Sequence, residues 1–246
     1  MMKFHFIGSG DAFGSGGRFN TCFHITGETV NFLIDCGASS LIALKKSQIA
    51  INEIDAIFFT HFHADHFGGI PFFMLESQFF SKRVKPLTLI GPRGIHSWYE
   101  RVMETSFPGS SKTPPKFDLN FVEINPGASY VVNNITVHPY QAHHGNANGP
   151  FLSLRFACEQ KTFSYTGDTE WTDELINVGN DVDLLVAEAY FFEKKIKYHL
   201  DLKSIEENSS RLKPKRLILT HMSQDMLSRA DELTYELASD GLIVNF

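Results

Sequence analysis

Short apolar runs, many of them alternating with polar residues, recur along most of the chain and are interleaved with stretches of helical spacing. Lys3 to Ile7 reads as a strand closed by Gly8-Ser9-Gly10, and Thr21 to Ile25 with Val30 to Ile34 as a hairpin across Gly27. Ala38 to Ser47 suits a helix, Asp55 to Phe59 a short buried strand, and Ile70 to Phe80 a helix with one apolar face. Leu87 to Ile90 is a strand ended by Gly91-Pro92, and Ile95 to Glu104 can be helical. Phe107 to Lys116, rich in Pro, Ser and Gly, reads as a loop. Strands follow at Phe121 to Ile124, Tyr130 to Val132, Ile135 to Tyr140, Phe151 to Ala157 and Thr162 to Tyr165. The chain then returns to alternation, with helices at Trp171 to Asn177, Leu202 to Arg211 and Gln224 to Ala238. Strands at Asp183 to Ala187, Leu217 to Leu219 and Leu242 to Phe246 separate them. This order predicts a layered α/β protein, with residues 1–246 expected to form one domain. Two sheets face to face with helices outside fit it, although periodicity alone does not choose that over a doubly wound sheet.

Composition sharpens the picture in a few places. The 246 residues are 43% hydrophobic and 20% charged, enough apolar material for a sizeable core. Phenylalanine is unusually frequent, at 23 residues, and runs such as Phe58-Phe59 assign it to core packing. A net charge of −6 offers no general attraction for nucleic-acid phosphates, so a nucleic-acid partner is not expected. The basic clusters Lys82-Arg83-Lys85 and Lys194-Lys195-Lys197 read as solvated faces, the second close enough to a motif below to meet an anionic substrate. Cys22, Cys36 and Cys158 form no C-x-x-C pair and read as reduced, partly buried thiols of a cytoplasmic protein. The first ten residues do not read as a signal peptide, and the longest apolar stretch, near Ile70 to Leu75, is far short of the ~18 residues that span a bilayer.

The chemistry concentrates in Thr60-His61-Phe62-His63-Ala64-Asp65-His66, between the strand Asp55 to Phe59 and Gly68-Gly69. In an extended loop His61 and His63 project to one side, because side chains alternate. Asp65 and His66 follow a bend and can face a second ion. Imidazoles with a carboxylate are the donor set that Zn²⁺ prefers.

This segment resembles the H-x-H-x-D-H signature of the metallo-β-lactamase superfamily. Leu33-Ile34-Asp35-Cys36-Gly37 resembles the family's Asp-x-Gly turn, Tyr165-Thr166-Gly167-Asp168-Thr169 its Gly-Asp-Thr motif, and Thr220-His221-Met222-Ser223 its closing His motif. The resemblance implies a four-layer αββα sandwich and two divalent metal ions, zinc by default with manganese or iron as alternatives. It implies that His61, His63 and His144 hold one ion, and that Asp65, His66 and His221 hold the other, with Asp168 shared. His143, adjacent to His144, is the alternative ligand; the family pattern counted from Val137 favours His144. Asp35 would orient a ligand, or serve only as a turn former before Gly37.

Within the superfamily the chain resembles ribonuclease Z and its phosphodiesterase relatives. Phe6-Ile7-Gly8-Ser9-Gly10 with Arg18-Phe19-Asn20-Thr21, Ile90-Gly91-Pro92-Arg93-Gly94-Ile95, Glu188-Ala189 and Tyr198-His199-Leu200-Asp201 carry that resemblance. It implies His199 as a non-ligand catalytic histidine tuned by Glu188, Asp65 as a proton holder for the nucleophile, and a homodimer. Two features depart from the tRNA-processing pattern. About a dozen residues separate Arg155 from Asp168, room for a hairpin rather than an exosite arm, and Phe19 splits the usual Arg-Asn pair. The expected activity is hydrolysis of a small or cyclic phosphodiester. A thioesterase or lactonase, a tRNA 3′-processing endonuclease and a metal-dependent regulatory protein are the alternatives.

Overall fold

The structure is a computed structural model and describes residues 1–146 and 149–246. Two seven-stranded sheets carry the chain. The first holds β1 (Lys3–Gly8), β2 (Cys22–Thr26), β3 (Asn31–Ile34), β4 (Ala56–Phe58), β5 (Leu87–Pro92) and β6 (Leu119–Ile124) in order. The second holds β7 (Tyr130–Val132), β8 (Ile135–Gln141), β9 (Leu152–Cys158), β10 (Lys161–Tyr165), β11 (Leu184–Glu188), β12 (Leu217–Thr220) and β13 (Glu236–Leu237). The last strand, β14 (Ile243–Asn245), returns to the first sheet beside β1. Each sheet begins antiparallel and turns parallel, at β3 in the first and at β10 in the second.

The period of two along each strand explains the layering. On β3, Phe32 and Ile34 face the second sheet while Leu33 faces outward. The phenylalanines meet between the sheets: Phe32 and Phe58 lie 5.7 and 5.1 Å from Phe156, and Phe4 lies 6.0 Å from Phe163. Outside the first sheet lie α1 (Ser40–Lys46), the single turn α2 (Ala64–Phe67), α3 (Ile70–Leu75) and α4 (Ile95–Ser106), packed on its outward residues. Outside the second lie α5 (Glu174–Gly179), α6 (Leu202–Glu207) and α7 (Gln224–Leu227). Three apolar clusters between four layers make the expected αββα sandwich, not a doubly wound sheet. No helix is long and apolar enough, among the described residues, to cross a membrane.

Several local expectations need correction. The helix expected over Gln224 to Ala238 stops at Leu227, passes through a 3-10 turn at Ala230–Glu232, and becomes β13. Pairing Leu237 with Leu219 gives the outer edge of β12 hydrogen-bond partners that a helix would leave missing. The helix expected at Trp171 to Asn177 begins instead at Glu174, because Glu170 is drawn back to the site, its amide donating to His143 O. Arg83 is not part of a solvated face. It is 1% exposed, and its guanidinium donates to the carbonyls of Ile51, Ile54, Lys85 and Pro86. Phe13, Phe79 and Phe80 are exposed, against the core assignment made for phenylalanine as a class. All three cysteines are buried free thiols.

Candidate metal centre

The site lies where the parallel strands of both sheets end, the place where open α/β sheets bind ligands. β4 leads into His61, and α2 carries Asp65 and His66 one turn later. β8 leads to His144, β10 to Asp168, β11 ends on Glu188, and β12 leads to His221. Gly37 lets the turn after β3 rest on α2: a Cβ there would sit 2.1 Å from Asp65 O. Asp35 and His221 take left-handed backbone conformations, φ 57° and 56°, and so does Tyr198 at 74°. Non-glycine residues held there cost roughly 1–3 kcal/mol each and cluster at functional sites.

Two donor groups meet. His61, His63 and His144 form one, and Asp65, His66, Asp168 and His221 the other, with donor atoms in each group within 4.8 Å of one another. His144 Nε2 lies 3.0 Å from His63 Nδ1 and 3.7 Å from Asp168 Oδ2. Asp168 also lies 3.3 Å from both His66 Nε2 and His221 Nε2, so it stands between the groups. Donors sharing a tetrahedral ion with bonds of about 2.0 Å are roughly 3.3 Å apart. His61 Nε2, His66 Nε2 and Asp168 Oδ1 are buried without a hydrogen-bond partner among the described protein atoms. Buried polar atoms of that kind call for a partner, and the donor set fits divalent metal ions.

The rings are aimed by hydrogen bonds on their far side. His61 Nδ1 donates to Thr60 Oγ1 over 3.0 Å, and that hydroxyl donates to Asp35 Oδ2 over 2.8 Å. The same carboxylate accepts from His66 Nδ1 at 2.7 Å and from Thr60 N at 2.8 Å. His144 Nδ1 donates to Tyr198 O at 2.7 Å, and His221 Nδ1 faces Thr21 Oγ1 at 3.2 Å. In all four rings Nε2 is left pointing inward. Such partners fix tautomer and orientation. Asp35 therefore both makes the turn and holds two of the histidines.

Burial disfavours charge on His61 and His144, holding the first well below the ordinary imidazole range and lowering the second to about 4. Burial also opposes charge on His66, but Asp168, Asp65 and Asp35 outweigh it and keep its proton well above that range. For Asp168 burial is outweighed by His221 and His66, so the carboxylate stays ionised. Asp65 follows the same balance, lowered to about 2 by His66 against the cost of burial.

His199 and Glu188 stand beside the second group, within reach of Asp168 and His221. His199 Nδ1 donates to Glu188 Oε1, and Glu188 Oε2 accepts from Thr169 N and Leu200 N at 2.9 and 3.1 Å. Burial lowers the His199 pKa, yet the bond to Glu188 and the nearby carboxylates raise it to about 9. Tyr190 stacks on the ring at 4.7 Å. A cleft of about 300 Å³ opens over this assembly, and Phe13, Lys197 and Tyr198 contribute to its rim.

The seven expected ligands are thus brought together, and His144 rather than His143 faces the cluster. His143 is half-exposed and turned to Glu170. Sequence reading missed Thr60, Thr21, Glu170 and the Tyr198 carbonyl. Thr60, Thr21 and Tyr198 lie within or beside the quoted motifs, a usable signal for position though not for role; Glu170 lies outside them. Of the second basic cluster, Lys197 reaches the cleft.

Comparisons with known proteins agree with this architecture. A ribonuclease Z of Lachnoclostridium phytofermentans is 34% identical over 129 residues, 52% of this chain and 40% of that enzyme, so less than two thirds of that relative is matched. A ribonuclease Z of Geobacillus kaustophilus is 26% identical over 277 aligned positions, 90% of this chain and 88% of its own length. That alignment is longer than this chain, so the relative carries segments without a counterpart here. The metallo-β-lactamase fold protein YhfI from Bacillus subtilis superposes with TM-score 0.77 at 18% identity, each chain fully covered. A diphosphatase from the PhnP family superposes with TM-score 0.79 at 20% identity over 100% of this chain and 98% of that one. The likeness to YhfI establishes the metallo-β-lactamase fold. The family profile described as Anti-Pycsar protein Apyc1 matches residues 2–239, and the chain belongs to that family.

Proposed function

We propose that this metal-dependent hydrolase is a dinuclear phosphodiesterase that acts on a small or cyclic phosphodiester. One observation carries the reading: two donor groups joined through Asp168 open onto a cleft of about 300 Å³ that also holds the His199–Glu188 pair and Lys197. Cationic groups above a metal-binding floor suit an anionic substrate better than a neutral ester. His61, His63 and His144 would hold one ion, and Asp65, His66 and His221 the other, with Asp168 shared; zinc suits these donors best, and manganese or iron is compatible. Such ions supply Lewis acidity and hydroxide near neutral pH. Asp65 would accept a proton from the attacking water. His199, its Nδ1 held by Glu188, would donate the Nε2 proton to the leaving oxygen. Lys197 would balance charge on the substrate's outer oxygens.

The names of the ribonuclease Z relatives favour a second reading, cleavage of precursor tRNA. Against it stands the turn between β9 and β10, which is only Glu159-Gln160 and leaves no room there for an RNA-gripping arm. Metal-loaded protein should be assayed side by side on bis(p-nitrophenyl) phosphate, a thioester, a lactone and a precursor tRNA. Turnover of the phosphodiester well above the others is expected, with His199→Ala lowering it roughly 10²- to 10⁴-fold while metal content is kept. Preference for the lactone, thioester or tRNA overturns the proposal, and full turnover by His199→Ala removes that residue from it.

A further inference from the structure

His221 rests on a turn, Ser9-Gly10, that takes no part in lining the cleft. Its backbone is left-handed, φ 56°, a conformation that a non-glycine residue keeps only where its neighbours hold it. His221 N donates to Ser9 O at 3.2 Å, and the Thr220 hydroxyl donates to the same carbonyl at 3.4 Å. On the ring side, Thr21 Oγ1 donates to Gly10 O at 3.3 Å. That uses the hydroxyl's one proton and leaves its oxygen to accept from His221 Nδ1 at 3.2 Å, with Nε2 turned toward Asp168. The backbone and the ring of His221 therefore both take their position from the Ser9-Gly10 segment.

That segment is held from the other end of the chain. Asp240 Oδ1 accepts from Ser9 N and Ser9 Oγ, both at 2.9 Å, and Oδ2 accepts from Phe19 N at 2.8 Å, so one carboxylate clips both arms of the turn. Gly10 N closes it by donating to Phe19 O at 2.7 Å. The turn has no slack: a Cβ at Gly10 would meet Arg18 Cβ at 2.8 Å and Phe19 O at 2.9 Å. The segment carrying Asp240 is itself fixed on both sides. Ala238 N donates to Leu219 O at 2.8 Å, on the strand that leads to His221, and Gly241 N donates to Phe6 O at 2.7 Å, on the strand that leads to Ser9. Arg18 Nη1 adds a bond to Ala238 O at 2.5 Å. We propose that Asp240, which does not line the cleft, is a positioning residue for His221 and sets how tightly the second ion is held. The inference rests on the reading of Asp65, His66, Asp168 and His221 as that ion's donors.

Asp240→Asn keeps the shape of the side chain and replaces one oxygen with an amide group that accepts from neither Ser9 N nor Phe19 N. Zinc affinities of the two sites are read by titration against a chromophoric chelator. Losing a partner bonded directly to a ligand weakens a metal roughly 10- to 100-fold; Asp240 stands one link further back, so a loss of about 3- to 10-fold is expected, confined to one ion. Thr21→Val, which removes the acceptor for the ring, should weaken the same ion. The double variant should lose less than the product of the two fold-losses, because both act through one imidazole. Arg83→Ala, a change far from the site, should leave both affinities within twofold of wild type. Affinities within twofold of wild type in Asp240→Asn overturn the proposal. So do equal losses at both ions, a full product in the double variant, or a matching loss in Arg83→Ala, the marks of general loosening. Should Asp240→Asn not fold, Ser9→Ala removes one of the three bonds alone, and an unchanged affinity there overturns the proposal. Wild-type protein that takes up fewer than two ions overturns the dinuclear reading and the inference with it; two ions held equally well by Asp240→Asn overturn the inference alone.

Discussion

At the scale of single residues, the candidate centre depends on side chains that aim other side chains. Asp35 is the clearest case: fully buried, it accepts from His66 directly and from His61 through Thr60. Burial raises its pKa, and the contacts with His66 and Thr60 pull it back. Asp35→Asn keeps the volume and removes the charge. Metal affinity, measured by competition with a chromophoric chelator, should fall roughly 10- to 100-fold, the usual effect of losing such a partner. An unchanged affinity would mean that Asp35 serves only its turn. The Tyr198 peptide has a similar position. Its carbonyl accepts from His144, its amide donates to Glu170 at 2.6 Å, and the next residue is His199. One strained peptide thus links a proposed ligand to the proposed acid.

At the scale of elements, strand ends and the single-turn α2 deliver the site, and loops carrying Phe13, Lys197 and Tyr198 shape its rim. α2 is a single turn, yet it places Asp65 and His66 one residue apart, with His66 O accepting from Cys36 N at 2.7 Å. Far from the site, Arg83 ties the β4 entry and the segment before β5 together through four carbonyls. A buried carbonyl left unpaired costs about 1–3 kcal/mol. Arg83→Ala leaves several, so chemical denaturation should show a loss on the order of 3–5 kcal/mol. The metal-loaded activity of the protein that remains folded should be unaffected. A loss below about 1 kcal/mol would show that water replaces the guanidinium there.

For the whole molecule, the packed interior between sheets and helices sets how stability responds to pH. His24 on β2 is 4% exposed, and its Nε2 donates to Asn31 Oδ1 at 2.7 Å. Burial lowers its pKa from 6.5 to about 4, with the Asn31 bond opposing and His5 and Lys3 adding to the shift. The unfolded chain therefore binds a proton at His24 between pH 6.5 and 4 that the folded chain refuses. Stability attributable to this group is whole above pH 6.5 and declines toward pH 4 by up to about 3 kcal/mol. His24→Gln, compared with wild type by urea denaturation at several pH values, should flatten that decline. Parallel pH dependences for the two proteins would rule His24 out as its source.

The amino-acid sequence by itself indicated the layered α/β class, most of the order of strands and helices, and the expected donors His61, His63, Asp65 and His66, because strand alternation and that motif are local patterns; Asp168 and His221 came from the motif resemblance. The motif resemblance also reached Glu188 and His199. Only the tertiary structure decided between His143 and His144, since neighbours on a strand end face opposite ways and the choice depends on where β8 sits relative to Tyr198. Tertiary structure also turned Glu236–Leu237 from an expected helix into an edge strand, buried Arg83, and set Asp240 against the Ser9 turn. Each of these depends on a partner distant in the chain: an unpaired strand edge, a ring of carbonyls, or a turn whose amides need a carboxylate. Local pattern carries no record of such partners, and free energy assigns the residue only once they are in place.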